Sequence, residues 1–255
     1  MASLRWHCHN SYHGMPQGCT AGGIAIVIDV LRASTTIVAA LERGAAAVLP
    51  TSTIEQALAV AAAEPVVLGG ERGGVKIAGF DLGNSPLEYT AAAVGGRRVV
   101  ITTTNGTQAL AACRDAVAVL IGALVNRSAV VGAAQAIARR ENLSDIHLVC
   151  AGTDGFVTEE DLLAAGAMLE AGVGPTDTLN TAALAALKRY RDTVADSTVA
   201  HPVALLRAME ASRGGRNLLE LGMQADLPAA AAIDTSTTVP QLDAAGWLVA
   251  ATFPG

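Results

Sequence analysis

The sequence predicts an α/β protein: a three-layer α/β/α arrangement around a largely parallel or mixed sheet, in a single compact domain over residues 1–255. Short, almost wholly apolar runs such as residues 24–30 (IAIVIDV) recur, as expected of strands covered on both faces. Alanine-rich stretches of helical length alternate with them. Hydrophobic residues make up 51% of the chain but aromatic residues only 3%, which suits small-residue helices on an Ile/Val sheet better than a β-sandwich. The 255 residues are enough to bury a sizeable core, and no linker, repeat or low-complexity tract divides them.

The opening residues form an irregular strand near His7, Cys8 and His9. Imidazole and thiolate are soft metal ligands, but these residues with His13 and Cys19 meet no standard ligand spacing. Residues 24–30 carry Asp29 to a strand end, and Leu31-Arg32-Ala33 leads into Ser34-Thr35-Thr36 and a helix to about Arg43. A carboxylate at a strand exit, followed by hydroxyls at a helix start, is the layout of an α/β active-site edge. Ser34 or Thr35 reads as an N-cap, a role compatible with phosphate binding at the same helix start. A buried Asp29 needs a partner, which Arg32 or a metal supplies.

Residues 47–50 are a second strand, and Ser52-Thr53-Ile54-Glu55 reads as a capping box for a helix to about Ala63. Residues 66–68 then deliver a long loop, residues 68–89, with six glycines, Glu71, Arg72, Lys76, Asp81, Asn84, Ser85 and Glu88. It has too few apolar residues in period for a helix or buried strand. Its glycines allow close backbone approach to a ligand, and its acids and bases can hold a metal and an anion side by side. Ser85-Pro86-Leu87-Glu88 has the residues of a helix start.

Residues 97–104 are a strand that exits through Thr102, Thr103 and Thr104 into Asn105-Gly106-Thr107-Gln108. This is a capping-box pattern rich in small donors, and an anion site is expected there. Residues 117–124 and 146–150 are further strands, with a helix from Asn126 to about Arg140 between them. The last strand exits into Ala151-Gly152-Thr153-Asp154-Gly155-Phe156, before a helix that starts at Thr158-Glu159-Glu160-Asp161. Those acids either complement the helix dipole or supply hard oxygens to Mg²⁺. Asp177 to about Ser212 is helical, with Pro202 marking a break or a new helix start. Gly214-Gly215-Arg216-Asn217 reads as a loop before a short helix at 218–221, and residues 247–252 as a late strand.

A net charge of −6 without a Lys/Arg stripe argues against a nucleic-acid partner. No charge-free apolar run is long enough to span a bilayer, and the N-terminus has no apolar signal core, so a cytoplasmic protein without a membrane partner is expected. The four cysteines form no C-x-x-C pair. P-loop and G-x-G-x-x-G motifs are missing. No cysteine has the arginine spacing of cysteine phosphatases, and Asp29 lacks the second aspartate of the haloacid-dehalogenase pattern. What remains is a set of hard oxygen donors and helix starts, suited to phosphoryl chemistry by positioning and charge neutralisation on a small anionic phosphate ester.

Four segments occur in a diagnostic order. They are Asp29-Val30-Leu31-Arg32-Ala33-Ser34-Thr35-Thr36; Gly70-Glu71-Arg72 with Gly79-Phe80-Asp81-Leu82-Gly83-Asn84-Ser85-Pro86; Thr102-Thr103-Thr104-Asn105-Gly106-Thr107; and Cys150-Ala151-Gly152 with Glu160-Asp161. Together they resemble the 2-phosphosulfolactate phosphatase family over residues 24–226. The resemblance implies a three-layer α/β/α fold, Mg²⁺ dependence and a homodimer. It also implies hydrolysis of (R)-2-phospho-3-sulfolactate to (R)-3-sulfolactate and phosphate, the coenzyme M biosynthesis type of reaction.

On this reading Asp29, Arg32 and Glu71 are the catalytic candidates, and Asp29, Glu71, Asp81 and Asp154 the Mg²⁺ ligands. Ser34, Thr35, Arg72, Asn84, Ser85, Thr103, Thr104, Asn105, Gly106 and Thr107 bind the substrate. Asp29 is nucleophile or base; direct attack and attack by metal-activated water are both open. Two alternatives stand beside this reading: a phosphatase of another small phosphorylated carboxylic acid, and a non-catalytic anion- or metabolite-binding protein. Turnover of phosphate esters separates the last from the other two.

Overall fold

The structure is a computed structural model that describes residues 3–252; residues 1, 2 and 253–255 of the predicted domain span lie outside it. Its elements in chain order begin with β1 (Arg5–His9), β2 (Ile24–Ile28), α1 (Ala33–Glu42), β3 (Ala47–Thr51) and α2 (Ile54–Ala63). β4 (Val67–Arg72), β5 (Val75–Lys76), α3 (Ala91–Val94), β6 (Arg98–Thr102), α4 (Gly106–Ala112) and β7 (Ala118–Gly122) follow. Next come α5 (Arg127–Glu141), β8 (Asp145–Cys150), α6 (Glu159–Gly172), β9 (Thr178–Leu179), α7 (Thr181–Thr193) and α8 (His201–Ala211). The chain ends with α9 (Arg213–Glu220), α10 (Asp226–Ala231), β10 (Pro240–Leu242) and β11 (Leu248–Ala250).

The strands form a mixed sheet in the order β5-β4-β6-β3-β11-β10-β7-β2-β8-β1-β9. Two parallel runs, β4-β6-β3 and β7-β2-β8-β1-β9, are joined by the antiparallel β10–β11 hairpin. β2 is central, with all five residues buried and full parallel registers to both β7 and β8. That explains its uninterrupted apolar run: neither face meets water. One face, with Ile24, Ile26 and Ile28, packs against Ala134 and Ile137 of α5 and Leu163 and Met168 of α6. The other, with Ala25 and Val27, packs with Ile37 of α1, Leu110 of α4 and the β3, β4 and β6 side chains Val48, Val67 and Ile101. The alanine content lets helices approach the sheet closely, as the α/β/α prediction required. No helix among the described residues is long and apolar enough to cross a membrane.

Several local expectations move. β1 is a regular strand in five-residue parallel register with β8, anchored by a fully buried Trp6. The α2 box lies one residue later than predicted: Thr53 Oγ1 accepts from Gln56 N–H, and Gln56 Oε1 accepts from Thr53 N–H. Arg32 rather than Ser34 or Thr35 takes the N-cap position of α1, so both hydroxyls fall inside the helix. Ser85 caps only a 3₁₀ turn over Pro86–Glu88, because Glu88 turns back to accept from Gly83 N–H at 2.7 Å. Asn105 makes no side-chain cap; Gln108 instead donates to Thr104 O at 3.0 Å. Gly214-Gly215-Arg216-Asn217 is helical, capped by Ser212 Oγ accepting from Gly215 N–H.

Candidate functional site

Strand exits from both parallel runs meet at one cleft of about 150 Å³, lined by Asp29, Arg32, Glu71, Asn84, Asn105 and Asp154. Thr104 and Gly214, Asn217 and Leu218 of α9 complete its walls.

Asp29 follows β2. Its backbone N–H donates to Ser34 Oγ at 2.9 Å, and that hydroxyl donates on to Val27 O at 3.3 Å. Thr35 Oγ1 donates to Val30 O and Thr36 Oγ1 to Asn84 O, each at 2.8 Å. The hydroxyls expected to bind phosphate are therefore consumed in tying α1 to β2 and to the glycine-rich loop. Asp29 Oδ1 accepts from Ala33 N–H at 3.3 Å. Asp29 Oδ2 accepts no hydrogen bond among the described residues. The Leu31–Arg32 peptide between the strand and the helix is cis.

Arg32 is 3% exposed and clamped from three sides. Its Nη1 donates to Asp226 Oδ2 at 2.8 Å and to Met223 Sδ at 2.7 Å, and its Nη2 to Gly74 O at 2.8 Å. Nε–H and one Nη2 N–H have no partner among the described residues. Glu71 accepts from Gly74 N–H at 2.7 Å, Thr104 N–H at 2.8 Å and the Thr104 hydroxyl at 3.0 Å. It thereby closes the β4–β5 turn and fixes the β6 exit. Asn84 is 5% exposed, and its Oδ1 has no hydrogen-bond partner among the described residues.

The remaining predicted residues divide. Asn105 Oδ1 accepts from Asp154 N–H at 3.2 Å, placing both on the rim. Gly106 stands against Asp29, where a Cβ would lie 2.7 Å from Asp29 Oδ2. Thr103 and Thr107 bond one another's backbone and side chain, and Ser85 donates to Asp226 Oδ1, so these hydroxyls are structural. Arg72 turns away from the cleft to Thr102 Oγ1 at 2.9 Å and to Glu71 O at 2.7 Å. Asp81 does not join Asp29: its carboxylate accepts from Leu68 N–H at 2.8 Å and braces the loop against β4. The predicted set of four carboxylates is not assembled, and no group of three His, Cys, Asp or Glu among the described residues is arranged to hold a metal ion. The converging hard oxygens are Asp29, Glu71 and the orphan Asn84 Oδ1.

Buried acids that the site prediction passed over stand beneath the cleft. Asp161, 2% exposed, accepts from Val30 N–H and Gly152 N–H, both at 2.9 Å, and so ties the β2 exit to the β8 exit. Glu160, also 2% exposed, has an Oε2 without a partner among the described residues. Burial pushes the Asp29 carboxyl up to about 7; the Ala33 N–H opposes this, and the Glu71 and Glu160 carboxylates add to it. Burial likewise raises Glu160, and raises Asp161 well above the usual carboxylate range. Added positive charge beside such a cluster favours its ionised form. The Glu160-Asp161 pair in the fourth sequence segment was the signal for these residues; nothing in the sequence marked Asp226 as the partner of Arg32.

Residues 10–245 match the family model described as 2-phosphosulpholactate phosphatase. A protein of Deinococcus radiodurans is 46% identical over 222 residues, covering 86% of this chain and 87% of its own. One of Symbiobacterium thermophilum is 42% identical over 228 residues, with 86% and 91% covered. One of a Synechococcus strain is 41% identical over 254 residues, with 93% and 98% covered. Each of the three is named a probable 2-phosphosulfolactate phosphatase.

Proposed function

We propose that this chain, which belongs to the 2-phosphosulpholactate phosphatase family, is a Mg²⁺-dependent phosphoric monoester hydrolase. Its substrate is (R)-2-phospho-3-sulfolactate, cleaved to (R)-3-sulfolactate and phosphate as in coenzyme M biosynthesis. A homodimer in the cytoplasm, without nucleic-acid or membrane partner, goes with this reading. The observation that carries it is the buried Asp29 carboxyl, which stands at a strand exit and faces a cleft with its Oδ2 free of hydrogen bonds among the described residues.

Mg²⁺ takes one or two carboxylates and keeps several waters. Asp29 and Glu71 would hold it, and Asn84 Oδ1 is a buried acceptor that lacks a donor among the described residues and so suits a cation or its water. Bound there, the ion would neutralise charge spreading over the phosphoryl oxygens. Arg32, oriented by Asp226, offers its remaining N–H groups to those oxygens. Asp29 Oδ2 is the reacting oxygen. Glu71 holds the Thr104 exit in place, and Asp161 holds the β2 and β8 exits together.

Phosphate release with Mg²⁺ from phosphosulfolactate, phosphoglycolate and phospholactate is the test. Fastest release from phosphosulfolactate is expected. Preference for another ester would move the assignment to a different phosphorylated acid. Thermal stabilisation by anions with no turnover of any ester would mark a non-catalytic binder.

A further inference from the structure

One ion pair spans the cleft mouth. Asp154 and Gly155 have φ of 52° and 79°, and their flanks Thr153 and Phe156 exchange backbone hydrogen bonds at 3.0 and 2.9 Å. Positive φ at both central residues is what a two-residue Asp-Gly hairpin turn demands. The turn fixes Asp154 on the rim. From the opposite wall Arg213, the first residue of α9, reaches across: its Nη2 lies 3.5 Å from Asp154 Oδ2. Its guanidinium carbon lies 4.5 Å from the centre of the exposed Phe156 ring. Gly214 lets α9 start this low, since a Cβ there would lie 2.2 Å from Glu160 Oε1.

The charged cleft lining is Asp29, Arg32, Glu71 and Asp154, three acids against one base that is already paired with Asp226. A substrate with a carboxylate and a sulfonate besides its phosphate brings more negative charge than that lining, or one divalent ion, can balance. Arg72 is committed away from the cleft. Arg213 remains: its side chain is 48% exposed, and its ion pair with Asp154 is long at 3.5 Å.

We propose that Arg213 is the specificity-determining residue that receives the substrate's distal sulfonate. Asp154 and the Phe156 face hold the guanidinium over the mouth until that anion arrives. This assignment rests on the phosphosulfolactate reading and names the group that selects the substrate. Guanidinium suits the role because its planar fork bonds two oxyanion oxygens at once.

Calorimetric binding of 3-sulfolactate, lactate and inorganic phosphate to the full chain and to Arg213→Ala and Arg213→Lys tests it. Arg213→Ala should weaken 3-sulfolactate roughly 10- to 100-fold, with a smaller loss for Arg213→Lys and phosphate affinity kept within about threefold. Unchanged 3-sulfolactate affinity overturns the assignment, as does equal weakening of 3-sulfolactate and phosphate, or failure of the unsubstituted protein to prefer 3-sulfolactate over lactate. Turnover measured alongside reads the proposed function separately. Arg213-dependent 3-sulfolactate binding without phosphate release would refute the phosphatase activity and still support the sulfonate site.

Discussion

Arg32 and Asp226 meet at 2.8 Å as an ion pair whose side chains are only 3% and 4% exposed. The pair joins the segment after β2 to the first residue of α10, 194 positions away. Ser85, on the glycine-rich loop, donates to the same carboxylate. One buried charge pair therefore holds the segment after β2, the glycine-rich loop and α10 together. Removing one partner leaves the other charged and buried, which costs about 3–5 kcal/mol. Asp226→Ala is expected to lower the thermal midpoint and slow phosphate release together; a wild-type midpoint would show that the pair does not hold these segments together.

Gly106 tests how closely Asp29 is placed. A Cβ at that position would lie 2.7 Å from both Asp29 Oδ2 and Ala33 Cβ. Gly106→Ala should cost about 1–3 kcal/mol through overpacking, and should reduce kcat by displacing Asp29. Unfolding curves and steady-state rates read the two effects separately. A variant with full activity would mean that Asp29 tolerates displacement.

Stability should respond to pH through two groups of opposite sign. His147 stacks on His7 at 4.7 Å, and its Nδ1 lies 3.1 Å from His9 Nε2. Burial, helped by the neighbouring imidazolium charges, pushes its pKa down from 6.5 to about 4. The unfolded chain therefore binds a proton that the folded one refuses, and stability falls by on the order of 3 kcal/mol as pH drops from the unfolded to the folded value. Asp29 works in reverse. Its pKa is raised from 3.8 to about 7, so stability without a divalent ion falls as pH rises through that window. His147→Gln should gain on the wild type in thermal midpoint between pH 8 and pH 5. A pH-independent difference would remove His147 from this account.

The elements legible in the sequence were those whose cause is local. β2 reads as a strand because burial on both faces leaves an unbroken apolar run, β8 does so from the apolar residues on either side of His147, and Pro202 marks the start of α8. The side-chain roles were less legible, because a hydroxyl or carboxylate reads the same whether it faces a ligand or its own backbone. Ser34, Thr35, Thr103 and Thr107 bond the chain's own backbone or one another, and Asp81 likewise braces the loop through Leu68. Long-range pairs leave no periodic trace, so neither Asp226 beneath Arg32 nor Arg213 opposite Asp154 was visible. The β10–β11 hairpin between β3 and β7 was half visible, since β11 was read and β10 was not; its three-residue strands are too short for alternation to show.

Asp29 carries the proposed chemistry, and phosphate release from (R)-2-phospho-3-sulfolactate with Mg²⁺ by the wild type and by Asp29→Asn tests that most directly. The predicted result is a loss of about 10²-fold or more, in a variant that stays folded and, without divalent ion, melts no lower than the wild type at pH 8. Mg²⁺-dependent release by Asp29→Asn at the wild-type rate would contradict it.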